Sequence, residues 1–105
     1  MADREEYRVG GQAEPISHYT DAVRAGDLLF VSGIVPVDGS GEVVGGGDVV
    51  KVTVFLTDVD DRAAINPVRQ EFFGSARPAS TLVEISRLAV PGAKIEVEAV
   101  AVVSR

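Results

Sequence analysis

Tyr19, Ser32 with Gly33, Asn66, Ser80 and Glu96 are the positions whose side chains or backbone suit the handling of a small polar ligand. Glu96 stands in the alternating run Lys94-Ile95-Glu96-Val97-Glu98-Ala99-Val100-Ala101-Val102. A carboxylate there could orient a water or move a proton. Glu98 shares its face two residues later, and on spacing alone a solvated strand edge is the simpler account of the two. Ser80 lies in a second strand-like run, Arg77 to Ile85, and offers a short neutral hydroxyl. Arg77 is three residues earlier, so alternation turns it away from the Ser80 side. Tyr19 supplies a hydroxyl and a ring wall, or an ordinary core edge. His18, as the only histidine and without a partner, reads as a surface residue. Gly33 after Ser32 would let backbone approach a ligand, or mark a bulge. Asn66 could bind ligand or bond local backbone, and Pro67 beside it favours the second.

Other chemistries lack their residues. The chain has no cysteine, so thiol nucleophiles, thiolate metal sites and disulfides are excluded. Asp58, Asp60 and Asp61 lack the spacing and terminal glutamate of a calcium loop and suit a helix start better. Gly45-Gly46-Gly47 lacks the Lys-Ser/Thr ending of a phosphate loop, and there is no nucleophile elbow. No cofactor and no metal are expected. A net charge of −6 argues against broad attraction to nucleic acid or anionic membrane. No apolar run approaches the roughly 20 residues of a membrane-spanning helix. The polar N-terminal residues do not resemble a signal peptide, and the expected location is the cytoplasm.

The elements that must position these residues fit one domain over residues 1–105, with 46% hydrophobic and 25% charged residues. Tyr7-Arg8-Val9 reads as a short strand before Gly10-Gly11. Ala22 to Arg24 and Leu28 to Ser32 read as a hairpin about Ala25-Gly26-Asp27, with extension through Val37. Asp38 to Gly41 reads as a turn and Gly45 to Gly47 as a breaker. In the strand Val49 to Leu56, alternation places Val50, Val52, Val54 and Leu56 on one face and Lys51, Thr53 and Phe55 on the other. Ile65, Val68 and Phe72 have the spacing of a buried helical face, and Gly74 suits the helix stop. Pro67 predicts a kink, or a helix whose regular part begins near it. The last two strands, about 80–86 and 94–103, are expected to pair antiparallel. A mixed sheet with a helix on one face leaves the Phe55 face uncovered and suggests self-association.

Several ordered segments carry a resemblance over nearly the whole chain. They are Ile16-Ser17-His18-Tyr19-Thr20-Asp21-Ala22-Val23, Ala25 to Gly33, Val50 to Asp58, Asn66 with Phe72-Phe73-Gly74, and the two C-terminal runs. In these the chain resembles the RidA/YjgF family of reactive-imine deaminases and their relatives. The resemblance implies an α+β, chorismate-mutase-like fold: a mixed sheet backed by helices, assembled as a homotrimer with small-molecule pockets between subunits. It implies that Glu96 positions the attacking water and that Tyr19, Ser32, Gly33, Asn66 and Ser80 border the ligand. In the family's best-known branch the position of Ser80 is an arginine that grips a substrate carboxylate. The resemblance therefore implies a hydrolase or deaminase for an imine, enamine or related carbonyl compound with altered specificity, or else a non-catalytic trimeric scaffold binding a metabolite or protein. Some relatives are described as ribonucleases, but the acidic charge makes nucleic acid an unexpected partner.

One departure bears on the fold. The family places an amphipathic helix between the equivalents of Gly47 and Asp48, and here that helix is absent. If the flanking strands were parallel neighbours, the crossover would need a dozen or more residues. Two accounts fit: the natural chain has a segment there that this sequence lacks, which the crossover length favours, or the strands pair differently or swap between subunits.

Overall fold

Alternating apolar and polar residues make strands of much of the chain, and the computed structural model, which describes residues 4–8, 17–34 and 48–102, joins them in one sheet. The strands are β1 (Arg4–Tyr7), β2 (Ala22–Ala25), β3 (Leu28–Ile34), β4 (Val49–Leu56), β5 (Ala79–Glu84) and β6 (Ile95–Val102), and helix α1 (Arg62–Phe73) joins β4 to β5. Their order across the sheet is β1-β2-β3-β6-β4-β5. Among the described residues only β4 and β5 pair in parallel, so the sheet is mixed and the α+β class holds. The β2–β3 hairpin turns at Gly26, whose φ of 62° favours glycine. The expectations for Val9 to Ile16, for the turn at Asp38 to Gly41 and for Gly45 to Gly47 lie outside the described residues.

Two pairing expectations need correction. β5 and β6 are not neighbours, because β4 lies between them. The crossover through α1 sets β5 beside β4 at the sheet edge, and β6 returns to the other side of β4. Likewise β3 and β4 run parallel but are separated by β6, to which both pair antiparallel. Ile34 stands level with Val54 and Val49 level with Leu29, so residues 35–48 have roughly 20 Å to cover. An extended chain of that many residues spans more than about 40 Å. Residues 35–48 are therefore long enough to join these strands.

Register sorts the side chains onto two faces. Leu29, Val52, Val54, Leu56, Val97, Ala99 and Ala101 share the core face, where Ala101 is 0% and Leu56 1% exposed. Val49, not Val50, joins them: the register shifts between Val49 and Lys51, and Val50 is 45% exposed. This is a bulge, one extra residue that restores alternation from Lys51 onward. The opposite face carries Lys51, Thr53, Phe55, Thr81, Val83, Glu96 and Glu98, with Leu28 and Phe30 exposed farther along.

The helix turns a different stripe to the sheet from the one expected. Ile65, Arg69 and Phe73, at successive i, i+4 positions, are its half-buried residues, and Phe73 packs against the core. Val68 and Phe72 are 67% and 51% exposed, so they do not form the buried face. Pro67 lies inside α1 without ending it. Pro67 and Ala63, whose carbonyl it leaves without the usual helical donor, are both exposed, so water can satisfy that group. Asp58 behaves as a cap, accepting from the Asp60 N–H at 3.0 Å at the start of the 3₁₀ turn Val59–Asp61. Gly74, at φ 62°, closes the helix as expected. Truncating Leu56 to Ala should cost about 2–5 kcal/mol in denaturant unfolding, and Val68→Ala no more than about 0.5 kcal/mol. The reverse ranking would mean that α1 presents the other face to the sheet.

Candidate functional site

The candidate residues fall into three places. Around the exit of β1, an open groove of about 570 Å³ is bordered by Arg4, Arg8, His18, Tyr19 and Ser32. Its walls are tied together by backbone and hydroxyl groups. Thr20 Oγ1 donates to the Tyr7 carbonyl at 2.9 Å, the Ser32 N–H donates to the Asp21 carbonyl at 2.8 Å, and Ser32 Oγ donates to the Thr20 carbonyl. Arg8 pairs with Asp21 at 3.0 Å. Ser32 is thus committed to holding the Tyr19–Asp21 segment against β3. The Tyr19 side chain is 51% exposed, and among the described residues its hydroxyl makes no hydrogen bond. Ser32 and Gly33 fall where the β3–β6 register shifts, which is the bulge reading of that glycine.

Ser80 occupies the second place, at the start of edge strand β5 and on the core face, level with Val52. Its hydroxyl accepts a hydrogen bond from Arg69 Nη2 at 2.9 Å. Arg69 is the residue that sequence reasoning missed. Its signal was the i, i+4 spacing from Ile65 to Phe73, which brackets it. Asn66, one turn earlier on α1, is exposed and makes no side-chain hydrogen bond among the described residues, so the backbone-bonding role expected of it is not seen. Arg77 lies before β5 and is exposed.

Glu96 forms the third place. It is level with Phe55 on the face opposite Ser80, half-buried, and makes no hydrogen bond or ion pair among the described residues. Next along this face, Lys51 Nζ donates to Thr81 Oγ1 at 3.1 Å and to the Val52 carbonyl at 3.0 Å. Thr53, level with Glu98, lies 3.3 Å from the same ammonium.

One chain does not bring these places together. Ser80 and Glu96 are two strands and three residues apart, roughly 14 Å between Cα atoms, and on opposite faces. Ser32 is three strand spacings from Ser80, again roughly 14 Å. Among the described residues no group of three or more His, Asp or Glu could hold a metal ion, and no helix is long and apolar enough to cross a membrane.

Residues 44–103 match the protein-family model described as Endoribonuclease L-PSP. The chain belongs to this family. Within the family it is similar to the RutC family protein PH0854 of Pyrococcus horikoshii, 37% identical over 113 residues with 84% of this chain and 89% of the relative covered. It is similar too to the 3-aminoacrylate deaminase RutC of Acinetobacter baylyi, 32% identical with 87% and 91% covered. Among solved structures it matches Rv2704 of Mycobacterium tuberculosis, a member of the YjgF/YER057c/UK114 family, with TM-score 0.79, 28% identity, and 96% of this chain and 100% of that one covered. The L-PSP, or RidA/YjgF/RutC, membership and the YjgF-like fold are thereby established. The match to PH0854 spans 113 positions, whereas 84% of this chain is about 88 residues. About 25 positions within the aligned stretch are therefore filled by the relative alone, enough for one helix and its turns.

Because Ser32 holds the Tyr19 segment, Ser32→Ala should cost about 1 kcal/mol and speed amide exchange at Tyr19 to Asp21 relative to the rest of the sheet. Unchanged exchange there would show that the segment is held by other contacts.

Proposed function

We propose that this chain is a hydrolase of the Rid type, releasing ammonia from a small imine or enamine, in a pocket completed between copies of the chain. The half-buried carboxylate of Glu96, without a partner among the described residues, carries this reading. In it, Glu96 takes a proton from a water as the water oxygen bonds to the imine carbon. Glu96 returns that proton to nitrogen, which gives the neutral carbinolamine. The carbinolamine then collapses: its hydroxyl proton passes to nitrogen, the C–N bond breaks, nitrogen leaves as ammonia, and the carbonyl forms. An enamine enters the same path as its imine tautomer, carbon gaining one proton as nitrogen loses one. The resemblance assigns the same role to Glu96, and the RutC relative is named for an enamine substrate, 3-aminoacrylate.

Tyr19, Ser32 and Gly33 line one wall in this proposal and Asn66 and Ser80 another, with no cofactor required. Since one chain holds Ser80, Tyr19 and Glu96 apart, a second copy has to supply the missing wall. The exposed Leu28, Phe30, Val83 and Val102 give the sheet an apolar surface to bury in a trimer. The alternative is a non-catalytic trimer that binds a metabolite or protein through the same cleft. It is favoured by a serine at the position where the resemblance implies a carboxylate-gripping arginine.

With imines and enamines generated in situ, ammonia release by the purified chain should exceed the uncatalysed rate. Glu96→Gln should lower it by about 10²–10⁴-fold, the usual worth of a positioned acid–base group. Saturable ligand binding without turnover, unchanged by Glu96→Gln, would leave the scaffold reading in its place. Sedimentation should give a mass three times that of one chain, and a stable monomer would remove the intersubunit pocket.

A further inference from the structure

Helix α1 carries a second apolar stripe that stays in solvent. Ala64, Val68 and Phe72 follow one another at i, i+4 spacing, and all are exposed, Val68 by 67% and Phe72 by 51%. They lie about a quarter-turn around the helix from Ile65, Arg69 and Phe73, the stripe that meets the sheet. The two stripes are continuous. The Phe72 ring stands edge-on to Phe73, with centroids 5.1 Å apart and planes at 79°, and Phe73 packs against the core. A parallel crossover is right-handed, and with α1 running back along β4 that hand turns Val68 and Phe72 towards β6 and β3, away from the free edge of β5. There Val97 and Ala99 of β6 and Val31 of β3 are only partly buried, although they share the core face. A wall of α1 and a strip of sheet thus form an apolar groove.

The groove has the length of a helix. The 12 residues of α1 make it about 18 Å long, and a helix laid beside it needs about as many. The PH0854 alignment leaves about 25 positions to the relative alone, enough for such a helix and its turns. Residues 35–48 of this chain are a poor source of it. Five of them are glycine, each costing about 1 kcal/mol in a helix, and they also have to join β3 to β4. The α1 of a second copy fits no better. Stripe against stripe brings together three side chains from each copy, where a standard interface uses about 20–30 residues a side. Charge marks the border of the groove: Asp61 stands before the first turn of α1 and Glu71 three residues beyond Val68. Among the described residues neither carboxylate has a side-chain hydrogen bond or ion pair.

We propose that this groove binds an amphipathic helix donated by another polypeptide, with its apolar stripe on Val68 and Phe72 and lysine or arginine on the flank that meets Asp61 and Glu71. The helix lies along α1 and completes the layer over β6 and β3. Burial of Val68 and Phe72 supplies the apolar contact, and the bordering carboxylates fix which flank faces α1. The interaction is separate from the hydrolase reading, since it uses the face of the sheet opposite Glu96.

The test titrates the whole chain calorimetrically with a synthetic peptide. The probe is the PH0854 segment of about 25 residues that has no counterpart here, with lysine at the positions flanking its apolar stripe. One peptide should bind per chain and gain helicity by circular dichroism. It should bind about tenfold or more tighter than the same residues in scrambled order, which keep the charge and lose the stripe. Val68→Ser with Phe72→Ser should weaken binding by about tenfold or more. Val68→Ser alone guards against a misfolded double variant: it should weaken binding by about 3-fold or more while the thermal midpoint stays within about 4 °C. Glutamate in place of the flanking lysines should also weaken binding by about 3-fold or more. No binding, binding unchanged by Val68→Ser, or equal binding of the scrambled or glutamate peptide overturns the proposal. So does a mass that falls on Val68→Ser without peptide, which would assign the stripe to a second copy.

Discussion

The position of β6 between β3 and β4 is the constraint from which the rest of the structure follows. It pairs antiparallel with both, so it joins the β1–β3 meander to the β4–α1–β5 unit. A central strand has its backbone groups satisfied on both sides, and its side chains alternate strictly between faces. Ala101, Ala99 and Val97 must face the core because Leu29, Val52 and Val54 stand level with them. Glu98 and Glu96 are thereby fixed on the other face, beside Thr53 and Phe55. A one-residue slip would bury both carboxylates against aliphatic side chains, a cost large enough to hold the register.

The same constraint separates the candidate groups. Ser80 belongs to the core face at the sheet edge and Glu96 to the opposite face near the centre, while the Tyr19 groove lies beyond β3. A site that uses all three needs surfaces from more than one copy, the arrangement put forward above. Relatives that fill about 25 positions this chain lacks share its family.

What the sequence made legible was local. Alternation located Val49 to Leu56 and Ile95 to Val102, Gly74 marked the helix end, and the ordered segments from Tyr19 to Val102 named the family. What it hid depends on partners far apart in the chain. The placement of β6 beside β3 is not encoded in either strand's pattern. The bulge at Val50 is invisible in a run of adjacent valines, because either register keeps an apolar residue on the core face. The face of α1 was misassigned for a chemical reason. Ile65, Val68 and Phe72 make the more apolar stripe, whereas the observed one contains Arg69. That arginine is tolerated because its long stem can lie along apolar surface while the guanidinium reaches Ser80 at the open edge.

A crystal structure of the chain in its assembly would test the account most directly, since it shows the copies together. The account predicts Tyr19, Ser80 and Glu96 around one cavity shared between subunits, with a water held by Glu96. Ser80 and Glu96 opening onto separate surfaces in the assembly would contradict it.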